Sequence, residues 1–169
     1  TNRLVGSEMC IRDSSKAGWI RSAKGHDIDP NSLSYRGDDS LQDFARGKSN
    51  QITVFIDSNG KAYSIPSHSL PSARGMGEPI TGRLSADSGV QFISSVIGND
   101  ESRFLIMNTA GFGYISEYKN MISNKKTGRA FMKLPENAKM LKAIPIRNDH
   151  CYIAAVSIIG KLLIFELKE

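Results

Sequence analysis

The stretch at residues 52–80, ITVFIDSNGKAYSIPSHSLPSARGMGEPI, sets the pattern on which the rest of the chain is built. Residues 53–56 and 62–65 are mostly β-branched and aromatic side chains, which is typical of short strands. Between them, Asp57-Ser58-Asn59-Gly60 has the residue types of a tight turn. The stretch therefore predicts a β-hairpin, followed by a glycine-bearing loop that carries Arg74.

The same hairpin recurs along the chain. Turn glycines at positions 18, 60, 111 and 160 are each followed by a strand-like segment, and their spacings are 42, 51 and 49 residues. Apolar strands at residues 53–56, 104–107 and 152–156 precede the last three of these glycines. Repeats of this length are typical of one four-stranded blade per copy. Because a blade cannot bury its own faces, the copies are expected to pack side by side.

Composition limits the class of protein. The 169 residues are 40% apolar and contain no apolar run near the roughly eighteen residues of a membrane helix, which predicts a globular chain without a membrane span. Lys and Arg number 22 against 17 Asp and Glu, a net charge of +5. This small excess fits a mildly basic surface as well as a polyanion partner, so the positions of the cations matter more than their number.

The two cysteines indicate no metal or disulfide framework. Cys10 and Cys151 lack CxxC spacing and a neighbouring His pair. Cys151 begins an apolar strand, so we expect a buried thiol, which fits a reducing compartment.

The first fourteen residues, TNRLVGSEMCIRDS, do not follow the repeat. Their segment VGSEMCIRDS resembles a translated sequencing adapter, so residues 1–14 are expected to be non-native and residues 15–169 to be the native fragment. On this interpretation the first blade lacks its opening strand.

The remaining units supply further elements. In the first, Trp19 and Ile20 form a strand, and four residues are expected to point inward: Leu33, Tyr35, Leu41 and Phe44. In the third, a hairpin at residues 104–107 and 112–118 precedes a basic loop at 124–129 and a strand at 130–134. The fourth unit supplies a hairpin alone, so the fragment is expected to stop inside a blade with an unpaired sheet edge.

No catalytic or metal site is predicted. His26 lies beside Asp27 and Asp29, but these residues are too few and too loosely spaced for zinc or a hard cation. No GxSxG elbow accompanies the histidines, and the loop at residues 74–77 lacks the Lys-Ser/Thr and the helix of a P-loop. We therefore expect no enzymatic activity, no metal and no cofactor for this chain.

Four segments carry a family resemblance. GWIRSAKGHDID, RGKSNQ, LPSARGMGEPITG and KLPENA occur in this order and resemble the C-terminal domain of the A subunit of bacterial DNA topoisomerase IV, and more distantly that of the gyrase A subunit. The resemblance covers nearly everything from Ser15 onward. It implies an all-β β-pinwheel, a propeller-like disc of four-stranded blades that exchange strands, here partial with about three and a half blades.

The resemblance also implies the binding of duplex DNA along a basic rim. Only cations inside or directly after the matching segments and in the basic loop of the third unit are carried over as DNA contacts. They are Arg21, Lys24, Arg46, Lys48, Arg74, Arg83, Lys125, Lys126 and Arg129. No QRRGGRG-like segment is present, so the DNA wrapping of gyrase is not expected.

The implied role is the positioning of duplex DNA, largely independent of sequence, for a separate catalytic core in decatenation and supercoil relaxation. That core belongs to an ATP-dependent type II topoisomerase, a heterotetramer in which the partners are the rest of the same polypeptide and the ATP-binding B subunit. The family's cleaving tyrosine, ATP and Mg²⁺ act outside this chain, and the location is the bacterial cytoplasm at the nucleoid. The alternative is a propeller-like protein-interaction module that does not bind DNA. A continuous rim of cations favours DNA, whereas an apolar patch favours a protein partner.

Overall fold

The computed structural model describes residues 9–25, 28–149 and 152–167. These ranges hold strands and short 3-10 turns but no α-helix, which confirms the all-β prediction. None of their helical segments is long and apolar enough to cross a membrane. The strands are β1 (Met9–Ser15), β2 (Trp19–Lys24), β3 (Leu41–Lys48), β4 (Ile52–Asp57), β5 (Lys61–Pro66), β6 (Glu78–Pro79), β7 (Phe92–Val96), β8 (Arg103–Met107), β9 (Gly113–Glu117), β10 (Arg129–Ala130), β11 (Ile144–Ile146), β12 (Tyr152–Val156) and β13 (Leu162–Glu166).

Within the described residues the strands form four antiparallel sheets, which we call blades 1 to 4. Blade 1 has the order β3-β1-β2-β6 and blade 2 the order β7-β4-β5-β10. Blade 3 has the order β11-β8-β9, and blade 4 is the hairpin β12-β13. The hairpins β4-β5, β8-β9 and β12-β13 are those that the repeated glycines predict.

Neighbouring blades exchange strands. β6 follows β5 in the chain, yet it pairs with β2 of blade 1, with Ile20 opposite Glu78. β10 follows β9 and pairs with β5 of blade 2, with Ala62 opposite Arg129. Each of the first two blades is therefore completed by the unit that follows it.

One side chain fixes each hairpin turn. The Asp57 carboxylate accepts the backbone N–H groups of Asn59 and Lys61, both at 2.9 Å. Asn108 lies in the same place in blade 3, and its Oδ1 accepts the N–H groups of Ala110 and Phe112 at 3.0 and 3.3 Å. Ser15 and Ser157 hold the turns of blades 1 and 4 in the same way, each accepting the N–H four residues on. Asp, Asn and Ser suit this position because their side chains bond the local backbone.

The core lies between adjacent blades. Phe55 and Tyr63 of blade 2 pack with Ile20 of blade 1 and with Phe92, whose ring meets both aromatic rings edge-on. Strand β4 turns its other face toward blade 3, where Val54 and Ile56 pack with Ile106 and Met121. Alternate residues of one strand thus bury both of its faces, which is why β4 is apolar at nearly every position.

The expectation that blade 1 lacks its opening strand is wrong. β1 pairs with both β2 and β3 and occupies the place that β4 holds in blade 2. Arg12 and Asp13 are buried in β1, where the equivalent positions of β4 are Val54 and Phe55. These charges break the apolar pattern by which a central strand is recognised. The non-native origin of residues 1–14 stays a prediction, and residues 1–8 lie outside the described part of the chain.

Two further expectations are wrong, and a third concerns residues outside the described part of the chain. The strand expected at residues 130–134 is reduced to β10, because regular pairing ends after two positions and the N–H groups of Phe131 and Met132 then both donate to the carbonyl of Gly60. Phe44 is not an inward residue, since it is 37% exposed on strand β3 and its ring lies under the Arg46 guanidinium. The expected burial of Cys151 and the surroundings of His26 and Asp27 lie outside the described residues.

Candidate nucleic-acid interface

Two loops hold equivalent places in the fold. Residues 71–77 lead into β6 and residues 122–128 lead into β10, and we call them the two peripheral loops. In the first, the N–H of Arg74 donates to Ser72 Oγ at 3.3 Å. In the second, the N–H of Lys125 donates to Ser123 Oγ, also at 3.3 Å. The same serine turn therefore presents a cation at the same position of each loop.

A glycine ends each peripheral loop. Gly77 has a φ of +84° and Gly128 a φ of +71°, a region that favours glycine. A Cβ at Gly77 would lie 2.5 Å from the carbonyl oxygen of Ile20, and one at Gly128 would lie 2.6 Å from the Tyr63 ring. The chain can come this close to the preceding blade only without a side chain, so the two glycines fix where each loop joins that preceding blade.

Both loops lie at the outer ends of their blades. The opposite end strands, β3 and β7, pack against each other. Ala143, just before β11, donates its N–H to Ser94 of β7 at 3.1 Å. The inner ends of blades 1, 2 and 3 therefore meet, whereas β6 and β10 with their loops lie at the periphery.

Four of the predicted site residues lie in or directly after the peripheral loops. Arg74, Lys125, Lys126 and Arg129 are exposed. The backbone carbonyl of Lys126 accepts the N–H of Ser85 at 2.9 Å, which ties the second loop to the segment after β6. The Arg129 guanidinium donates to the carbonyl of Asn120. Three cations within five residues give the second loop the higher positive charge density of the two.

Four other predicted residues lie elsewhere or are paired. Arg83 is half-buried and forms an ion pair with Glu78, which offsets its charge. Lys24 and Lys48 are exposed at one end of blade 1, on the strands that flank the start of β1. Arg46 is exposed on the inner strand β3, away from the periphery.

Arg21 is buried with its charge neutralised. Its Nε donates to Asp13 Oδ2 at 2.8 Å, and Nη1 donates to the carbonyl of Ser34. Burial by itself would lower the pKa of Arg21, but the hydrogen bond and charge of Asp13 outweigh it and raise that pKa. The guanidinium also lies 4.6 Å from the centre of the Tyr35 ring. It is therefore part of the packing of blade 1 and does not face a ligand at the surface.

The sequence indicates that the third unit has its three-cation loop where the second has Arg74-Gly75, and the exact register of the two loops is the signal that was missed. Seventeen residues separate Gly60 from Gly77 and also Gly111 from Gly128 (77 − 60 = 128 − 111 = 17). Counting from the turn glycines aligns SARGMG with SNKKTG and superposes the two serines and the two cations. The equivalence of Arg74 and Lys125 could thus be read from spacing alone.

Comparisons with known proteins agree with this architecture. The chain is 44% identical to the A subunit of DNA topoisomerase 4 from Haemophilus influenzae over 155 residues, 92% of this chain and 21% of that protein. The solved structure of the E. coli ParC C-terminal domain matches with a TM-score of 0.85 and 38% identity, over 94% of this chain and 65% of that one. The C-terminal domain of DNA gyrase A matches at 16% identity with a TM-score of 0.65, over 94% of this chain and 55% of that one, a likeness of fold. No protein-family model matches the chain.

The alignment covers nearly all of this chain but only a small part of each full-length relative. The chain spans about a fifth of the length of the curated relatives it matches, although they align with nearly all of it. The likeness therefore concerns one part of those proteins.

Proposed function

This chain belongs to the C-terminal β-pinwheel domains of the A subunit of bacterial DNA topoisomerase IV, and from that premise we propose that it binds duplex DNA along the two peripheral loops. The supporting observation is the repeated serine turn, which presents Arg74 and Lys125 at equivalent outer positions of consecutive blades. Duplex DNA carries a regular line of phosphates, so cations repeated from blade to blade suit a polyanion that runs along the periphery.

The proposed binding is largely independent of DNA sequence. Lys and Arg on exposed loops contact phosphate oxygens, which carry no base information. Any preference among DNA substrates would come from bending or crossing geometry, since deforming a duplex costs energy that its shape can lower. The chain would thus position DNA for a catalytic core located elsewhere in the protein.

The remaining parts of the proposal concern the whole topoisomerase. The chain itself performs no catalysis and needs no cofactor, while ATP and Mg²⁺ act in other parts of the enzyme. Its partners are the rest of the same polypeptide and the B subunit of the heterotetramer, and it works in the bacterial cytoplasm at the nucleoid. Decatenation and relaxation of supercoils are the reactions for which it would position DNA.

A specific observation also supports an interaction with polypeptide. The hairpin β12-β13 exposes large apolar side chains, among them Val156, Leu163 and Ile164, which are 59–70% exposed. A patch of this kind is typical of a surface that another protein segment covers. It lies on blade 4, apart from the two peripheral loops, so a protein contact there is compatible with DNA binding along the loops.

The test is duplex binding by the double variant Lys125→Glu with Lys126→Glu at several salt concentrations. We expect affinity to fall about tenfold or more for all duplexes alike, and the slope of log K against log[salt] to shrink by about two. The charge-matched control is Lys133→Glu with Lys139→Glu, two exposed lysines outside the peripheral loops. Circular dichroism should show that both variants are folded.

Two outcomes would refute this proposal. One is wild-type binding that does not depend on salt, since phosphate contacts release counterions. The other is an equal loss of affinity in the control variant, which would mean that net charge and not the peripheral loop determines binding.

A further inference from the structure

The inner ends of blades 1 and 3 face each other across a groove. Its volume is about 780 Å³, and its walls include Phe44 and Arg46 on one side and Phe104 and Pro145 on the other. The contacts that bridge this groove contribute to the arrangement of the blades.

One carboxylate at this groove touches three blades. Asp43 on β3 of blade 1 accepts the N–H of Ser95 at 2.7 Å and the hydroxyl of Ser94 at 3.2 Å, both on β7 of blade 2. Lys142, which lies before β11 of blade 3, places Nζ 3.4 Å from the Asp43 carboxylate. The same ammonium donates to the carbonyl of Gln42.

The surroundings of Asp43 make its hydrogen bonds to Ser94 and Ser95 stronger than ordinary surface contacts. Its side chain is only 16% exposed, whereas that of Lys142 is 53% exposed. Hydrogen bonds to an ionised carboxylate are shorter and stronger than neutral ones, and partial burial reduces their screening by salt. The Ser94 hydroxyl also accepts the N–H of Ala143, so the blade 2 and blade 3 contacts share one group.

We propose that Asp43 is a positioning residue that fixes the angle between the first three blades and thereby the curvature of the DNA path along the two peripheral loops. This inference rests on the proposed DNA binding. The inner ends of the blades act as the pivot, so a small rotation there moves the loops at the outer ends by a larger distance. A duplex that reaches both loops would be sensitive to this rotation, whereas a duplex that reaches one loop would not.

The experiment compares wild type with Asp43→Ala and Lys142→Gln, using end-labelled duplexes of about one and about four helical turns. For the long duplex we expect an affinity loss of roughly threefold to tenfold and a lower energy transfer between the DNA ends, because the bend is less well defined. For the short duplex we expect affinity within about twofold of wild type. Lys139→Gln removes an exposed charge three residues away and is the control for net charge.

A readout that does not involve DNA tests the contacts themselves. Hydrogen exchange at the Ser95 amide should accelerate in Asp43→Ala, since its acceptor is removed, and should change little in Lys142→Gln. If Asp43→Ala does not fold, Lys142→Gln still tests the contact between blades 1 and 3 alone.

The outcomes separate the two proposals. Unchanged long-duplex affinity and energy transfer in both variants, with wild type binding normally, would overturn the role of Asp43. An equal long-duplex loss in Lys139→Gln would overturn it as well, because charge alone would then explain the effect. Failure of wild type to bind either duplex would instead refute the proposed DNA binding, while Ser95 exchange would still report on the carboxylate.

Discussion

The glycine that ends each peripheral loop determines where that loop joins the preceding blade. Gly77 and Gly89 have nearly the same backbone angle, with φ of +84° and +78°. They differ in their surroundings, since a Cβ at Gly77 would press on the Ile20 carbonyl at 2.5 Å and one at Gly89 would meet nothing within 4 Å. The pair therefore separates the cost of the backbone angle from the cost of the close approach.

We expect Gly89→Ala to lower the free energy of unfolding by about 1 kcal/mol, the cost of a left-handed alanine. Gly77→Ala should lower it by about 3 kcal/mol or more, because a backbone oxygen cannot move aside cheaply. Urea denaturation of both variants checks this. Equal losses in the two variants would mean that the contact with blade 1 relaxes freely.

Sequence reasoning was most successful where the deciding interactions are local. The hairpins around Gly60 and Gly111 follow from turn residues and strand patterns within a few positions, and the structure places both. The burial of Arg21 could not be predicted in this way. It depends on Asp13, which lies in the segment at residues 1–14 whose polar sequence does not predict a strand.

At the scale of elements, strands that pair with a distant part of the chain could not be predicted from the sequence. Strands β6 and β10 are two residues long, and their partners lie in the preceding unit, so no local pattern identifies them. β1 was not predicted for a different reason. It pairs with a strand on each side, but its sequence is polar and so lacks the apolar pattern of a central strand. The family resemblance supplied the strand exchange that periodicity did not indicate.

The hairpin β1-β2 contains a buried ion pair. We expect that removing one partner destabilises the fold more than removing both. Asp13 and Arg21 are both at most 6% exposed in their side chains, and the Tyr35 hydroxyl also donates to Asp13. Asp13→Ala would leave the guanidinium buried without its partner, at a cost of about 3 kcal/mol. Asp13→Ala combined with Arg21→Met should cost less than the single change, because no charge then stays buried.

Thermal and urea unfolding of the single and double variants measure this difference. The comparison is Asp87→Ala, which breaks the more exposed pair with Lys61 and should change stability much less than Asp13→Ala does. A double variant less stable than Asp13→Ala would contradict the argument. It would indicate that Arg21 stabilises blade 1 through packing and not through its charge.

At the scale of the whole molecule, each of the first three units has a partly or fully buried tyrosine. These are Tyr35, Tyr63 and Tyr118. Burial raises the pKa of Tyr35 and of Tyr118 to about 12, with the nearby carboxylates of Asp13 and Asp100 acting in the same direction. Burial and the hydrogen bond to Asp57 raise the pKa of Tyr63 as well. The folded chain therefore keeps these hydroxyls protonated at a pH where unfolded tyrosines have begun to ionise.

This difference predicts a loss of stability in alkali. Below the unfolded tyrosine pKa of about 10 the hydroxyls are protonated in both the folded and the unfolded state, so the free energy of unfolding does not depend on their titration. As the pH rises from about 10 to about 12 the unfolded state loses protons first, so the free energy of unfolding should fall by about 2 kcal/mol for a buried tyrosine such as Tyr118. Urea denaturation at about pH 9 and about pH 11.5 measures the change.

Tyr118→Phe should flatten this pH dependence, because it removes one hydroxyl that ionises only after unfolding. It should also lower stability at neutral pH by about 1 kcal/mol, since the hydroxyl donates to the carbonyl of Ile52 and so joins blade 3 to blade 2. Tyr152→Phe, which changes a ring that is 62% exposed, is the matched control. An alkaline slope that is the same in both variants would show that groups other than the Tyr118 hydroxyl set the response to pH.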